Sequence, residues 1–124
     1  PWVRFTGQVS PAEVGAWLRG ARVVAVPSRW PENDPYAILE AKMAGRPVVA
    51  TKMGGMVEQI DDGVDGRLVP ARDPAALAAA VGELMDNKEA AMQIGSAARA
   101  RVRRERNPLA WLGDLEAHYA ALVA

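Results

Sequence analysis

Apolar and polar positions along this chain switch between two periods, and the switches mark out alternating strands and helices. Residues 3–6 alternate apolar and polar, which predicts a strand turned by Gly7. Ser10-Pro11-Ala12-Glu13 reads as a helix start, a serine cap with a capping-box glutamate; that helix passes through Trp17 and Leu18 and ends near Gly20. Residues 23–26 are continuously apolar, the pattern of a buried parallel strand, and Pro27-Ser28 closes them. Asp34-Pro35 then supplies a capping side chain followed by the residue best tolerated at the first helical position. The helix it opens is expected over residues 35–44, stopped by Gly45 at the C′ position. Residues 47–51 predict another buried strand, and Gly54-Gly55 a permissive loop feeding a short helix over residues 56–60. The turn signals Asp61-Asp62-Gly63 and Asp65-Gly66 flank a last short strand over residues 67–69. Everything from Asp73 onward reads as helix, over residues 74–85, 88–105 and 108–123; Asp73-Pro74 and Asn107-Pro108 repeat the cap-plus-proline start.

Strands alternating with helices through short connections imply right-handed crossovers, and so an α/β fold with a parallel sheet and helices on both faces. Ligands of such sheets bind at the carboxyl ends of the strands. Those ends are Thr6-Gly7-Gln8, residues 27–34 and residues 51–55, which places three candidate loops on one rim. The length of 124 residues allows one domain at most. A net charge of zero gives no global argument for nucleic acid. The absence of cysteine excludes a disulfide scaffold or a thiolate metal site, and fits a reducing, cytoplasmic compartment. No apolar run approaches the length of a membrane span. The opening Pro1-Trp2-Val3, already in a strand pattern, is expected of a piece of something longer.

Within this frame the chemistry concentrates on Glu32 and Glu40, with seven residues between them. The helix-start signal places Glu32 in a loop and Glu40 about a turn and a half inside the helix. A loop carboxylate beside exposed helix N–H groups suits a polar, phosphorylated ligand. Gly54-Gly55 reads either as a flexible turn or as a phosphate-cradling loop. Ser28 is a weak nucleophile candidate, because the single histidine, His118, lies far along the last helix, where it is expected to be partly buried. Asp61, Asp62 and Asp65 fail the spacing of a calcium loop, which needs ligands where Gly63 and Arg72 stand; they read as turn residues. The run Arg99, Arg101, Arg103, Arg104 and Arg106 reads as a solvated helix face, with contact to anionic lipid as the alternative.

The ordered set Phe5-Thr6-Gly7, Val24-Ala25-Val26-Pro27-Ser28, Glu32 and Glu40-Ala41, Met43 through Thr51, Gly54-Gly55 with Glu58, and Asp62-Gly63 with Gly66 resembles the C-terminal domain of retaining glycosyltransferases of GT-B architecture, the group-1 family. The likeness is close over residues 3–72 and one of pattern beyond. It implies the second half of a Rossmann-like, nucleotide-sugar-binding domain over residues 1–106. It also implies a C-terminal helix over residues 107–124 that would pack back toward an N-terminal domain outside these residues. Carried over by position, Glu32 would contact the transferred sugar and act as the catalytic carboxylate. Asn33, Asp34, Pro35 and Tyr36 would form the loop cradling the donor diphosphate and sugar, and Glu40 would accept hydrogen bonds from the ribose. Gly7 would line the nucleobase; Gly54 and Gly55 join the donor-binding candidates only by the phosphate-loop reading of their own pattern. Many members have glycine directly after the first glutamate; here Asn33-Asp34-Pro35 stands instead, a subgroup variant in which a capping Asp34 would compete for the amides a diphosphate needs. The family's basic phosphate clamp comes earlier in the domain, before Pro1, so these residues alone are expected to be inactive. The resemblance implies a nucleoside diphosphate sugar as donor substrate, no cofactor, no metal, and an acceptor not defined by these residues (saccharide, lipid-linked or small molecule). It implies a cytoplasmic location, with the inner face of a membrane as an alternative. Two other readings stand beside it: a GT-B nucleotide-sugar epimerase, and a non-catalytic half-domain that self-associates through an exposed sheet edge.

Overall fold

The computed structural model describes residues 2–123; Pro1 and Ala124, the outer ends of the two expected segments, lie outside the described residues. The elements run α1 (Pro11–Gly20), β1 (Val24–Val26), α2 (Tyr36–Met43), β2 (Val48–Thr51), α3 (Met56–Gln59), β3 (Arg67–Val69), α4 (Pro74–Asp86), α5 (Lys88–Glu105) and α6 (Pro108–Val123). The three strands form one parallel sheet in the order β1-β2-β3, with Val24 opposite Val48 and Val49 opposite Arg67.

Alternation along β2 builds the two faces of the core. Val48 and Ala50 point to one side and pack with Ile38 and Ala41 of α2, Met56 of α3 and Ile60. Val49 points to the other and packs with Val69, Ala80 and Leu84 of α4, and Ala91 and Ile94 of α5. Every residue of β2 is buried, as its unbroken apolar run predicts. The fully buried Val48 and Val49 each contribute on the order of 1.5–3 kcal/mol.

Local signals set the helix ends. The Ser10–Glu13 capping box forms in both directions: the Ser10 amide donates to the Glu13 carboxylate at 2.8 Å and the Glu13 amide to Ser10 Oγ at 3.4 Å. Gly45, at φ +70°, ends α2 in the left-handed turn expected of it: the Arg46 amide reaches the Ala41 carbonyl and the Gly45 amide the Lys42 carbonyl, both at 2.9 Å. Asp73 caps α4 through the Ala76 amide at 2.9 Å.

Three expectations fail. Residues 3–6 form no strand; Val3 and Phe5 are exposed, and β1 is hydrogen-bonded to β2 alone. An alternating pattern becomes a strand only where a neighbour takes up its N–H and C=O groups, and these residues meet none. For the same reason β1 is not buried: Val24 and Val26 are half-buried and Ala25 is exposed, as befits an edge strand. α6 buries none of its side chains, and His118 on it is exposed rather than partly buried, its Nδ1 2.9 Å from the Asp114 carbonyl one turn back. No helix among the described residues is long and apolar enough to cross a membrane.

Candidate functional site at the carboxyl ends of the strands

The loop from β1 to α2 is held by a short relay of polar groups. Buried Thr51, the last residue of β2, donates from Oγ1 to the Ser28 carbonyl at 2.9 Å. Ser28 in turn donates from its own hydroxyl to a carboxylate oxygen of Glu32, which is half-buried. Ser28 thus orients the Glu32 carboxylate. This pairing was missed in the sequence, where the four-residue spacing of Ser28 and Glu32 was the available signal.

Gly54 and Gly55 bring the second rim loop against the first. The Gly55 amide donates to the Glu32 carbonyl at 2.6 Å. A Cβ on Gly55 would stand 1.5 Å from the Asn33 carbonyl oxygen, and one on Gly54, which adopts φ +53°, 2.5 Å from the Glu32 carbonyl oxygen. The pair is a packing platform for the Glu32–Asn33 backbone, and the Gly55 amide is taken by the Glu32 carbonyl.

Asp34 does not cap α2. The helix begins at Tyr36 with Pro35 in the cap position and no side chain on its first amides. The Asp34 carboxylate turns away and takes the Arg106 guanidinium as a fork, Nη2 to Oδ1 at 2.8 Å and Nη1 to Oδ2 at 3.0 Å, while the Gln59 side-chain amide donates to Oδ1. The Arg106 guanidinium holds the Asp34 carboxyl below the ordinary range against the opposing effect of burial, with a smaller contribution from Gln59. The amide of Ile38 bonds to the Pro35 carbonyl at 3.1 Å, whereas those of Tyr36 and Ala37 have no acceptor among the described residues.

Glu40 stands on the exposed face of α2, opposite the inward-facing Ile38, Ala41 and Lys42, and forms no ion pair among the described residues. Gly7 has positive φ and open space around it, and no hydrogen bond joins it to the other two loops. The structure therefore brings Glu32, Asn33, Asp34, Pro35, Gly54 and Gly55 together, places Tyr36 and Glu40 on the adjoining helix, and leaves Gly7 apart. The rim of three loops reduces to two, because residues 3–6 supply no strand end.

Two clefts flank this rim. One of about 310 Å³ opens over the carboxyl ends of all three strands, walled by Pro27, Thr51, Val69, Arg29 and Arg72. Arg72 holds a left-handed φ of +60°, a conformation that carries strain in a residue with a Cβ. The other, of about 360 Å³, lies between Asn33-Asp34, α3 and the end of α5, lined by Gln59, Arg101, Glu105 and Arg106. Among the described residues no group of three or more His, Cys, Asp or Glu is placed to hold a metal ion.

Beneath the second cleft is an ionic cluster that the turn reading of Asp65 missed. Lys42 Nζ and Asp65 Oδ2 pair at 2.9 Å with both side chains buried; Arg101 Nη1 meets the same oxygen at 3.0 Å, and the Asp61 amide donates to Oδ1 at 2.8 Å. Burial pulls the Lys42 ammonium below its ordinary range, against the pull of Asp65. Burial pushes the Asp65 carboxyl upward, but the hydrogen bonds from Lys42, the Asp61 amide and Arg101 outweigh it and leave the group low. The arginine run is a solvated helix face except at Arg101, which reaches buried Asp65: Arg99, Arg103, Arg104 and Arg106 are exposed, with Arg104 paired to Glu105 and Arg106 to Asp34.

The parallel sheet with helices packed on both faces is an α/β fold, and it matches the C-terminal domains of GT-B glycosyltransferases. Residues 1–87 match the family described as glycosyl transferases group 1, and the chain belongs to that family. It is 38% identical over 96 residues to a D-inositol 3-phosphate glycosyltransferase of Streptomyces coelicolor, covering 77% of this chain and 21% of that one. A D-inositol 3-phosphate glycosyltransferase of Corynebacterium jeikeium is 35% identical over 115 residues, 93% of this chain and 26% of its own. The sucrose-phosphate synthase of Thermosynechococcus elongatus superposes with a TM-score of 0.86 at 29% identity, over 97% of this chain and 30% of that one. The Anabaena Alr3699/HepE structure in complex with UDP superposes with a TM-score of 0.80 at 26% identity, over 85% and 29%. The chain thus spans about a fifth to a quarter of the length of these curated relatives.

Proposed function

We propose that this chain is the donor-binding part of a longer enzyme that transfers a sugar from a nucleoside diphosphate sugar to an acceptor with retention of anomeric configuration. The observation that carries the reading is Glu32, half-buried at the carboxyl rim, oriented by Ser28 and set beside a helix whose first amides are uncapped. A helix start with free N–H groups stabilises an anion, here the diphosphate, and the adjacent carboxylate can accept hydrogen bonds from sugar hydroxyls. Arg29 and Arg72, on the cleft over the strand ends, add positive charge where ligands of open α/β sheets bind. UDP in the Anabaena neighbour gives the same reading support by likeness.

In this mechanism Glu32 orients the transferred sugar, the Tyr36 and Ala37 amides face the departing diphosphate, and Glu40 accepts from the ribose. The protein's part is positioned charge and dipoles at the atoms where negative charge develops as the glycosidic bond breaks. The uncovered edge of β1 and the bare α6 are where further chain of the longer protein would join, with α6 packing toward an N-terminal domain.

The direct test is Glu32→Gln in the longer protein, assayed with its nucleotide-sugar donor. Turnover is expected to fall at least about tenfold, a loss of roughly 1.4 kcal/mol or more of transition-state stabilisation. Unchanged turnover would remove the role given to Glu32. The anomeric proton coupling of the product, read by NMR, decides between retention and inversion.

A further inference from the structure

We infer that Arg106 is a positioning residue of the donor site: by holding the Asp34 carboxylate, it keeps the first amides of α2 free for an anionic ligand. The inference rests on the donor-binding reading above. Asp34 immediately precedes the cap residue Pro35, and Asp-Pro is a strong local signal for a capped helix start. Left to itself, an aspartate in this place satisfies the helix amides and puts a negative charge where a diphosphate would lie. Here the carboxylate is drawn off instead by a guanidinium 72 residues further along the chain, with both of its oxygens engaged in a two-pronged fork, and by Gln59 of α3. The pair is open to solvent, with side-chain exposures of 49% and 44%, so it contributes little to stability. Its geometric effect is specific: the Tyr36 and Ala37 amides stay without an acceptor, beside Glu32. Arg106 also closes α5, whose guanidinium-bearing end thereby fixes the loop that leads into α2.

A double variant separates restraint of Asp34 by Arg106 from a direct contribution of Arg106 to ligand binding. If Arg106 acts by restraining Asp34, its loss matters only while Asp34 is present to compete. The experiment is titration of UDP into the longer protein by calorimetry, with melting temperatures recorded for every variant. Arg106→Ala is expected to weaken UDP binding about tenfold, the scale of one cap-type interaction set against the ligand. Arg106→Lys, which keeps the charge but loses the fork, is expected to fall between the unaltered protein and Arg106→Ala. Asp34→Ala combined with Arg106→Ala is expected to recover binding to within about threefold of the unaltered protein. Melting temperatures should move by no more than about 4 °C, since the pair is exposed. A double variant as weak as Arg106→Ala alone, or an Arg106→Ala protein with unchanged affinity, overturns the positioning role. A larger fall in melting temperature for Arg106→Ala also overturns it, because the residue would then be structural. UDP binding that is absent from the unaltered protein overturns the donor reading and this inference with it, whereas binding that is present but indifferent to Arg106 removes the inference alone.

Discussion

Gly55 shows how much of the site depends on one missing carbon atom. Its Cβ would stand 1.5 Å from the Asn33 carbonyl oxygen, a contact with backbone that no rotamer change relieves. Gly55→Ala should therefore push the Glu32–Asn33 segment away from β2, costing about 1–3 kcal/mol or more and weakening donor binding with it. The same substitution at Gly82, within α4, meets no heavy atom within 4 Å and should stabilise by roughly 0.5–1 kcal/mol through helix propensity. Opposite signs in a paired thermal melt support the platform role; two stabilised proteins would reject it. The Gly-Gly dipeptide was visible in the sequence, but its partner backbone was not, since close approach of two loops is a tertiary fact. Asp34 carries the same lesson more sharply. Asp-Pro is a sound local cap signal, and the structure overrides it with a charge from the far end of α5. Glu32 was legible as a loop carboxylate, whereas Ser28 was read only as a weak nucleophile candidate, because the relay from Thr51 through Ser28 to Glu32 needed the strand pairing to be seen.

Elements were legible where their signals were local. The Ser10 capping box, the Gly45 stop and the Asp73 cap are each written within a few residues, and each forms. β1 and residues 3–6 were misread because the burial and pairing of a strand depend on what lies beside it. Contacts between elements were the least visible, and the Lys42–Asp65–Arg101 cluster that ties α2 to α5 is the leading case. Asp65→Asn leaves the buried Lys42 ammonium with the Gln59 carbonyl as its remaining partner, and should cost about 3–5 kcal/mol in urea unfolding at pH 7. Lys42→Met should cost less, because Asp65 keeps Arg101 and the Asp61 amide. The pH dependence has a definite sign. The folded-state pKa of Asp65 lies below its unfolded value, so its stabilisation is present above the ordinary carboxylate range and is lost as pH falls through the folded value, below about 3.9. Lys42 is also low in the folded state, so between its folded and unfolded values the unfolded chain binds more protons and stability rises with pH. The deficit of Asp65→Asn should accordingly narrow on the alkaline side. A deficit that is flat with pH, or larger for Lys42→Met, would contradict the cluster's role.

At the scale of the whole molecule, the two packed faces share β2, and nothing comparable anchors α6. Val48 and Ala50 belong to one cluster and Val49 to the other, so neither face can open without exposing the central strand. α6 by contrast buries no residue, although it carries Leu109, Trp111, Leu112, Tyr119 and Leu122 exposed. A helix of its length without tertiary support is marginal in water. Yet the superposition on the sucrose-phosphate synthase, over 97% of this chain, keeps its place in a protein of which the match is only 30%. The proposed docking of α6 onto further chain reconciles the two facts, because the apolar side chains left bare here would find cover there. Hydrogen exchange tests this without any ligand. In the 124-residue chain the β2 amides should exchange near the rate of global unfolding, while those of α6 exchange close to the rate of an isolated helix. In the longer protein the α6 amides should become protected, with Trp111 fluorescence shifting to the blue as its ring leaves water. Equal exchange of α6 in both proteins would mean that the helix never docks, and would leave its exposed apolar side chains without a partner in the chain itself.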